Sequence, residues 1–209
     1  VTNRNQQTQN VRNVVAIQDL GEALSDNTRI GINNGDPAGF FNGSAVATGL
    51  PQNAANAYDP NQIGSGALTP AIRDIATAAS GFNVPGYSVN EGFDYAILEN
   101  ARKLEPGRDY EFDSQLGYIS LSQSLSNDEV LGVAFQYTFG GQVFQVGEFA
   151  NGGVDATTVP PNSNLIENNA LVLKLLKSNI TNVQDPIWDL MMKNIYSTGA
   201  YQLSQEDFK

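Results

Sequence analysis

The sequence predicts an α+β fold: an antiparallel β-meander packed against a few short helices, with a Gly- and Asn-rich loop lobe. Three observations predict it. Two stretches between Thr69 and Leu104 carry apolar residues at helical spacing, with readable start and stop residues. From Arg108 onward the apolar period becomes that of strands. Gly140-Gly141 then separates two strand-like runs, where a two-residue hairpin turn demands positive φ. At 209 residues the chain can bury a core without a disulfide or a metal.

Taken in order, Val1 to Asn10 is polar, and VRNVVAIQDL (Val11 to Leu20) reads as a strand or a short helix because its apolar residues do not alternate cleanly. Gly21 to Gly66 is too rich in Gly, Asn, Ala and Pro for long helices and too long for a bare connection, so a loop-rich lobe is expected there. The first helix is expected after Thr69 as cap and Pro70 at its first position, with Ile72, Ile75, Ala76 and Ala79 inward and Gly81 closing it. The second is expected from Asn90, with Phe93, Ile97, Ala101 and Leu104 on one face and Pro106-Gly107 ending it.

Four strands follow as a meander, over Asp109 to Phe112, Tyr118 to Leu121, Val130 to Phe139 and Val143 to Phe149. In the third, Val133, Phe135, Tyr137 and Phe139 share a face. Asn151 to Asn169 is a polar loop, and LVLKLLK (Leu171 to Lys177) is strand or helix by periodicity, its length favouring a strand. A third helix is expected over Ile187 to Ser197 with Ile187, Leu190, Met191 and Ile195 inward, and a last strand over Tyr201 to Lys209. No internal repeat is expected. The division expected is 1–66, an N-terminal strand and loop-rich lobe, and 67–209, the α+β body, together one compact unit cut from a longer protein.

Composition excludes more than it assigns. There is no Cys and no His, so disulfides, thiolate metal sites and imidazole chemistry are missing. Twenty-two acidic against eleven basic residues give a net charge of −11, which repels phosphate backbones and argues against nucleic acid as a partner. Charged residues are only 16% of the chain, below the usual quarter, and neutral polar residues take their place. No apolar run approaches the ~20 residues of a membrane-spanning helix.

Carboxylates are the one plentiful acid/base group. Glu111 and Asp113 share a strand face, and Asp128 and Glu129 are adjacent in a turn, but a single Trp offers little sugar platform beside either pair. Asp26, Asn33, Asn34, Asp36 and Asp59 fall in loops without the spacing of a calcium loop, and turn formation explains them better. Trp188, Met191 and Met192 fit a core stripe better than a docking stripe. Lys174 and Lys177 suit a guarded strand edge. No catalytic, cofactor-binding or metal-binding residue is assigned, and no cofactor is expected.

VTNRNQQTQNVRNVVAIQDLGE at the start, EFDSQLGYISLSQSLSNDEVLGVAFQYT in the middle, VGEFANGGVDA after the hairpin, then LVLKLLKSN, DPIWDLMMKNIYS and YQLSQEDFK, in that order, resemble the SprA/Sov family of gliding-motility outer-membrane proteins of Bacteroidetes. Gly31 to Gly66 is outside the resemblance. The resemblance implies a parent that is the translocon of the type IX secretion system, a very large outer-membrane β-barrel exporting folded cargo. Only Val130 to Phe139 approaches the ~9–11 residue alternation of a barrel-wall strand. The expectation is therefore a noncatalytic water-soluble domain shaping or capping the pore exit, on the extracellular face, with the periplasmic face as alternative. Its implied partners are the rest of the SprA barrel, other type IX secretion components and secreted cargo. Two further readings are an adhesin-like module binding glycan or a partner through Gly21 to Gly66, and a hydrolase built on Glu111 and Asp113.

Overall fold

The structure is a computed structural model, and it describes residues 1–3, 11–18, 20, 63, 68–83, 88–151, 154–159, 161, 164, 166–183 and 186–192. Among these the fold is β-rich, with ten strands, three short 3-10 turns and no α-helix. This overturns the α+β expectation.

The central sheet has the order β2-β1-β10-β5, formed by β1 (Val11–Ile17), β2 (Tyr95–Arg102), β10 (Leu171–Lys177) and β5 (Leu131–Val133). β1 pairs with β10 in parallel and with β2 antiparallel, and β10 pairs with β5 antiparallel. Val14 to Ile17 are all fully buried. Val15 and Ile17 enter one core with Val172 and Tyr95, while Val14 and Ala16 enter a second with Leu171, Leu173 and Leu175 on the opposite face. A strand covered on both faces has no reason to alternate, which is why the type of this segment was ambiguous in the sequence.

The sheet curls. β1 and β5 are not neighbours, yet a methyl group on Gly132 would lie 3.5 Å from both the Ala16 Cβ and Leu173 Cδ1. Thr2 bridges both outer strands, to Arg102 on β2 and to Leu131 on β5. The Thr2 N–H donates to the Arg102 carbonyl at 3.0 Å and the Arg102 N–H returns a bond at 2.8 Å. The Gly132 N–H donates to the Val1 carbonyl, and the Val130 N–H to Asn3 Oδ1. Pairing at this point removes part of the open edge that an isolated sheet would present. Ala16, Ala96 and Ala101 keep the inner face shallow.

The expected second helix is β2. Phe93, Ile97 and Ala101 are spaced by four, as on one helix face, but in the strand Ile97 packs on the core of Val15 and Val172 while Ala101 enters the opposite one. Pairing with β1 decides it, because β1 would otherwise carry a buried, unpaired backbone edge. The register slips between Arg12 and Val14, where Asn13 Oδ1 accepts from the N–H of Asn100, a residue at φ 49°.

The expected first helix is two 3-10 turns, Pro70–Arg73 and Ala78–Gly81. Asp74 breaks it: its carboxylate accepts from the Ala76 N–H and its carbonyl from the Thr77 N–H, a local bond set that competes with helix continuation. The two turns then pack back to back. A Cβ on Gly81 would lie 2.7 Å from the Ile72 nitrogen, so only glycine permits this approach. The third helix survives only as a 3-10 turn, Pro186–Leu190, and stops there, since Met191 and Met192 are not helical; residues 193–197 of that expectation, like the strand at Tyr201 to Lys209, lie outside the described residues.

The meander strands fall close to where they were expected, but they form no single sheet. β3 (Tyr110–Asp113) and β4 (Tyr118–Leu121) make one hairpin, and β6 (Phe135–Phe139) and β7 (Gln142–Val146) another. Gly140 and Gly141 both have positive φ, as the two-residue turn requires. Val130 to Phe139 divides at Ala134, so that β5 stays in the central sheet while β6 leaves it. Gly147, at φ 76°, allows the crossing, since a Cβ there would meet Ala134 at 3.2 Å. β8 (Thr157–Thr158) and β9 (Glu167–Asn168) form a small ladder in the polar loop.

Candidate functional site

The candidate groups from the sequence do not converge. Glu111 and Asp113 do share a face of β3, but Asp113 Oδ1 accepts from the Gln115 and Leu116 N–H groups and closes the hairpin turn, while Glu111 is exposed. Asp128 is exposed, and buried Glu129 accepts from the Ser126 N–H at 2.6 Å. A pocket between Arg102, Asp109, Leu121 and Ser122 has a volume of about 60 Å³, room for a water or two. Asp26, Asn33, Asn34, Asp36 and Asp59 lie outside the described residues. Among the described residues no group of three or more His, Cys, Asp or Glu is placed to hold a metal.

The two lysines of β10 do not guard an edge, because β10 lies between β1 and β5. Lys174 is buried on the face of Val172, and its ammonium donates to the Gln18 carbonyl. Lys177 donates to the carbonyls of Ser126 (2.9 Å), Asn127 (3.1 Å), Glu129 (2.5 Å) and Ser178 (3.1 Å), tying the strand to the loop before β5. Burial lowers its pKa from the usual lysine value, with Glu129 and Asp128 opposing.

Ile187 is the member of the 3-10 turn that enters the core. Trp188 is half-buried, beside Ile180 and Met191, and Met192 is exposed. Ile187→Ala should therefore cost about 2–4 kcal/mol and Trp188→Ala less, as read from urea unfolding of the two variants. The reverse order would place the tryptophan in the core instead.

Sequence reasoning missed the residues that organise the molecule. Arg73 makes a bidentate ion pair with Glu148 at 2.5 and 2.6 Å. The Arg73 guanidinium also donates to the Ala170 carbonyl, and the Ala170 N–H donates back to the Arg73 carbonyl at 2.6 Å. Glu148 treats Val172 likewise: its N–H donates to the Val172 carbonyl at 2.9 Å, and its carboxylate accepts from the Val172 N–H at 2.8 Å. β5 pairs only with Lys174 to Lys177, so Glu148 stands in for a neighbouring strand at the start of β10. The signal was a lone carboxylate inside an otherwise uncharged stretch, VLGVAFQYTFGGQVFQVGEFA.

A second missed feature is a repeated turn. NEGFDY (Asn90 to Tyr95) and EPGRDY (Glu105 to Tyr110) have the same bonds. In each, the Asp N–H donates to the carbonyl four residues earlier (2.9 Å in both), and the Asp carboxylate accepts from that residue's N–H (2.7 and 2.9 Å). In each, the Gly N–H donates to the Tyr carbonyl, with Gly92 at φ 90° and Gly107 at φ 78°. One copy launches β2 and the other β3.

Asp109 in the second copy also meets Arg102 at 2.6 Å and Arg108 at 3.2 Å. The Glu105 N–H first, then Arg102, hold its carboxyl well below the usual carboxylate range. A depressed native pKa adds stability that is fully present above the unfolded value of about 4 and is lost as pH falls through the native value. Thermal melts of Asp109→Asn should accordingly show a shallower acid limb below about pH 4 than the wild type. Identical limbs would mean the carboxylate does not stabilise the turn.

What this arrangement does chemically is hold loops and hairpins in fixed positions. The described carboxylates with assigned partners cap turns or close ion pairs. Among the described residues no helix is long and apolar enough to cross a membrane. No curated protein matches the chain. A family described as motility related/secretion protein, SprA_N, matches residues 1–126, more than half of the chain and inclusive of β1 to β4 and both copies of the repeated turn. The chain belongs to the SprA_N family of motility related/secretion proteins.

Proposed function

We propose that this chain is a noncatalytic, water-soluble domain of a type IX outer-membrane translocon serving gliding motility, and that it shapes or caps the pore exit on the extracellular face. The observation that carries the reading is the family match over residues 1–126. The geometry supports a structural role: a curled sheet with cores on both faces, closed by the Thr2 bridges and held by the Arg73–Glu148 pair, is a stiff support for hairpins. A net charge of −11 with few charged residues gives a hydrated surface to which exported chains adhere poorly. In this reading the segments 1–66 and 67–209 act as one unit. Its partners are the remainder of the barrel, other secretion components and the cargo.

Two measurements on cells carrying the parent protein test this. Protease added to intact cells should cleave within this region, and cleavage only after permeabilisation would move the domain to the periplasmic face. In-frame deletion of residues 21–66 should impair cargo export and gliding. Normal export and gliding by a stably folded deletion variant would end the pore-exit reading.

A further inference from the structure

Four backbone carbonyls converge on the Lys177 ammonium at the end of β10. They belong to Ser126 (2.9 Å), Asn127 (3.1 Å), Glu129 (2.5 Å) and Ser178 (3.1 Å). Three of the four come from one short loop, residues 126–129. An ammonium has three N–H donors, so this ring holds one oxygen more than it can address. A spherical cation has no such limit, and carbonyl oxygens at this spacing replace the hydration shell of potassium.

The ring is shaped by bonds that do not involve the lysine. The Ser126 N–H donates to the Glu129 carboxylate at 2.6 Å, and the Glu129 N–H donates back to the Ser126 carbonyl at 3.2 Å. Asn3 braces the loop from outside: its Nδ2 donates to the Asp128 carbonyl at 3.3 Å and its Oδ1 accepts from the Val130 N–H at 2.9 Å. On the other side, the Ser178 hydroxyl donates to the Gly92 carbonyl and accepts from the Ile180 N–H at 3.2 Å. The oxygens therefore stay convergent when the lysine side chain is cut away, as a preorganised site requires.

Charge and ligand type select the occupant. Burial disfavours a charge at this point, and Glu129 and Asp128 oppose that by favouring a cation. Calcium and magnesium take carboxylate oxygens at shorter distances, whereas the Glu129 carboxylate is engaged by the Ser126 N–H. We propose that loop 126–129 is a monovalent-cation cradle, sized for ammonium or potassium, and that the Lys177 ammonium is its tethered occupant. The tether keeps the cation at a high effective concentration, and the filled cradle holds the loop before β5 against the end of β10.

The test is urea unfolding of the 209-residue chain carrying Lys177→Ala, which empties the cradle. It is run in the chlorides of lithium, potassium, ammonium and tetramethylammonium at equal ionic strength. The gap between the midpoints of variant and wild type cancels general salt effects. Moving from lithium to potassium or ammonium should close that gap by at least half, and progressively with concentration, as ligand linkage requires. Tetramethylammonium, too large for the ring, should leave the gap as lithium does. Lys177→Arg, which puts a planar cation in place of the compact one, should gain nothing from potassium. An equal gap in all four salts would overturn the proposal, because the lysine would then act through packing alone. Equal closure by all four would overturn it as well, as screening without a site, and so would failure of Lys177→Ala to fold in any of them.

Discussion

Arg73→Met should destabilise the protein by about 3 kcal/mol, near the lower end for breaking a buried ion pair because the arginine side chain keeps 18% of its exposure. The cost lies mainly in what is left behind. Glu148, whose side chain is 2% exposed, would keep the Val172 N–H but lose both guanidinium bonds. The Ala170 carbonyl would lose one donor as well. Urea unfolding of Arg73→Met, Glu148→Met and the double variant measures the pair directly. The double variant should be more stable than the sum of the singles predicts, since it removes the buried carboxylate together with its guanidinium. A loss under about 1 kcal/mol for Arg73→Met would mean that water reaches the carboxylate and that the clasp is peripheral.

Leu175→Ala should cost about 3–4 kcal/mol, the usual range when a fully buried leucine leaves a cavity that a closed sheet cannot collapse to fill. Leu175 sits on β10 between β1 and β5, pairs with Gly132, and packs in the same core as Ala16, Leu171 and Leu173. Its neighbours are held by pairing on both sides, so little relaxation is available. Ile166→Ala, at 69% exposure, is the control and should change stability by less than about 0.5 kcal/mol. Equal effects at the two positions would contradict the core as described.

These expectations show how unevenly the fold was legible. The hairpin at Gly140-Gly141 was readable because its turn needs two residues with positive φ and glycine adopts them without strain. β3 and β4 were readable because a solvent-facing ribbon must alternate. β2 was misread because a spacing of four suggests one helix face, whereas Ile97 and Ala101 lie on opposite faces of a strand whose register slips between them. The helix expected at Pro70 failed at Asp74, whose side chain offers the backbone a competing set of bonds. The repeated Gly-x-Asp-Tyr turn was present in the letters, but six residues fifteen apart fall below the length at which repeats are sought.

The sequence by itself determined what is most local: the hairpin turn at Gly140-Gly141, what a chain without His or Cys cannot do, and which family the chain resembles. Only the tertiary structure decided that β1 and β10, more than 150 residues apart in the chain, lie side by side in parallel, and that Arg73 reaches Glu148. The reason is physical. Local preferences are set by sterics and by hydrogen bonds within a few residues. The pairing of distant strands, and the burial of a charge beside its partner, depend on backbone groups and side chains that meet only once the sheet has closed.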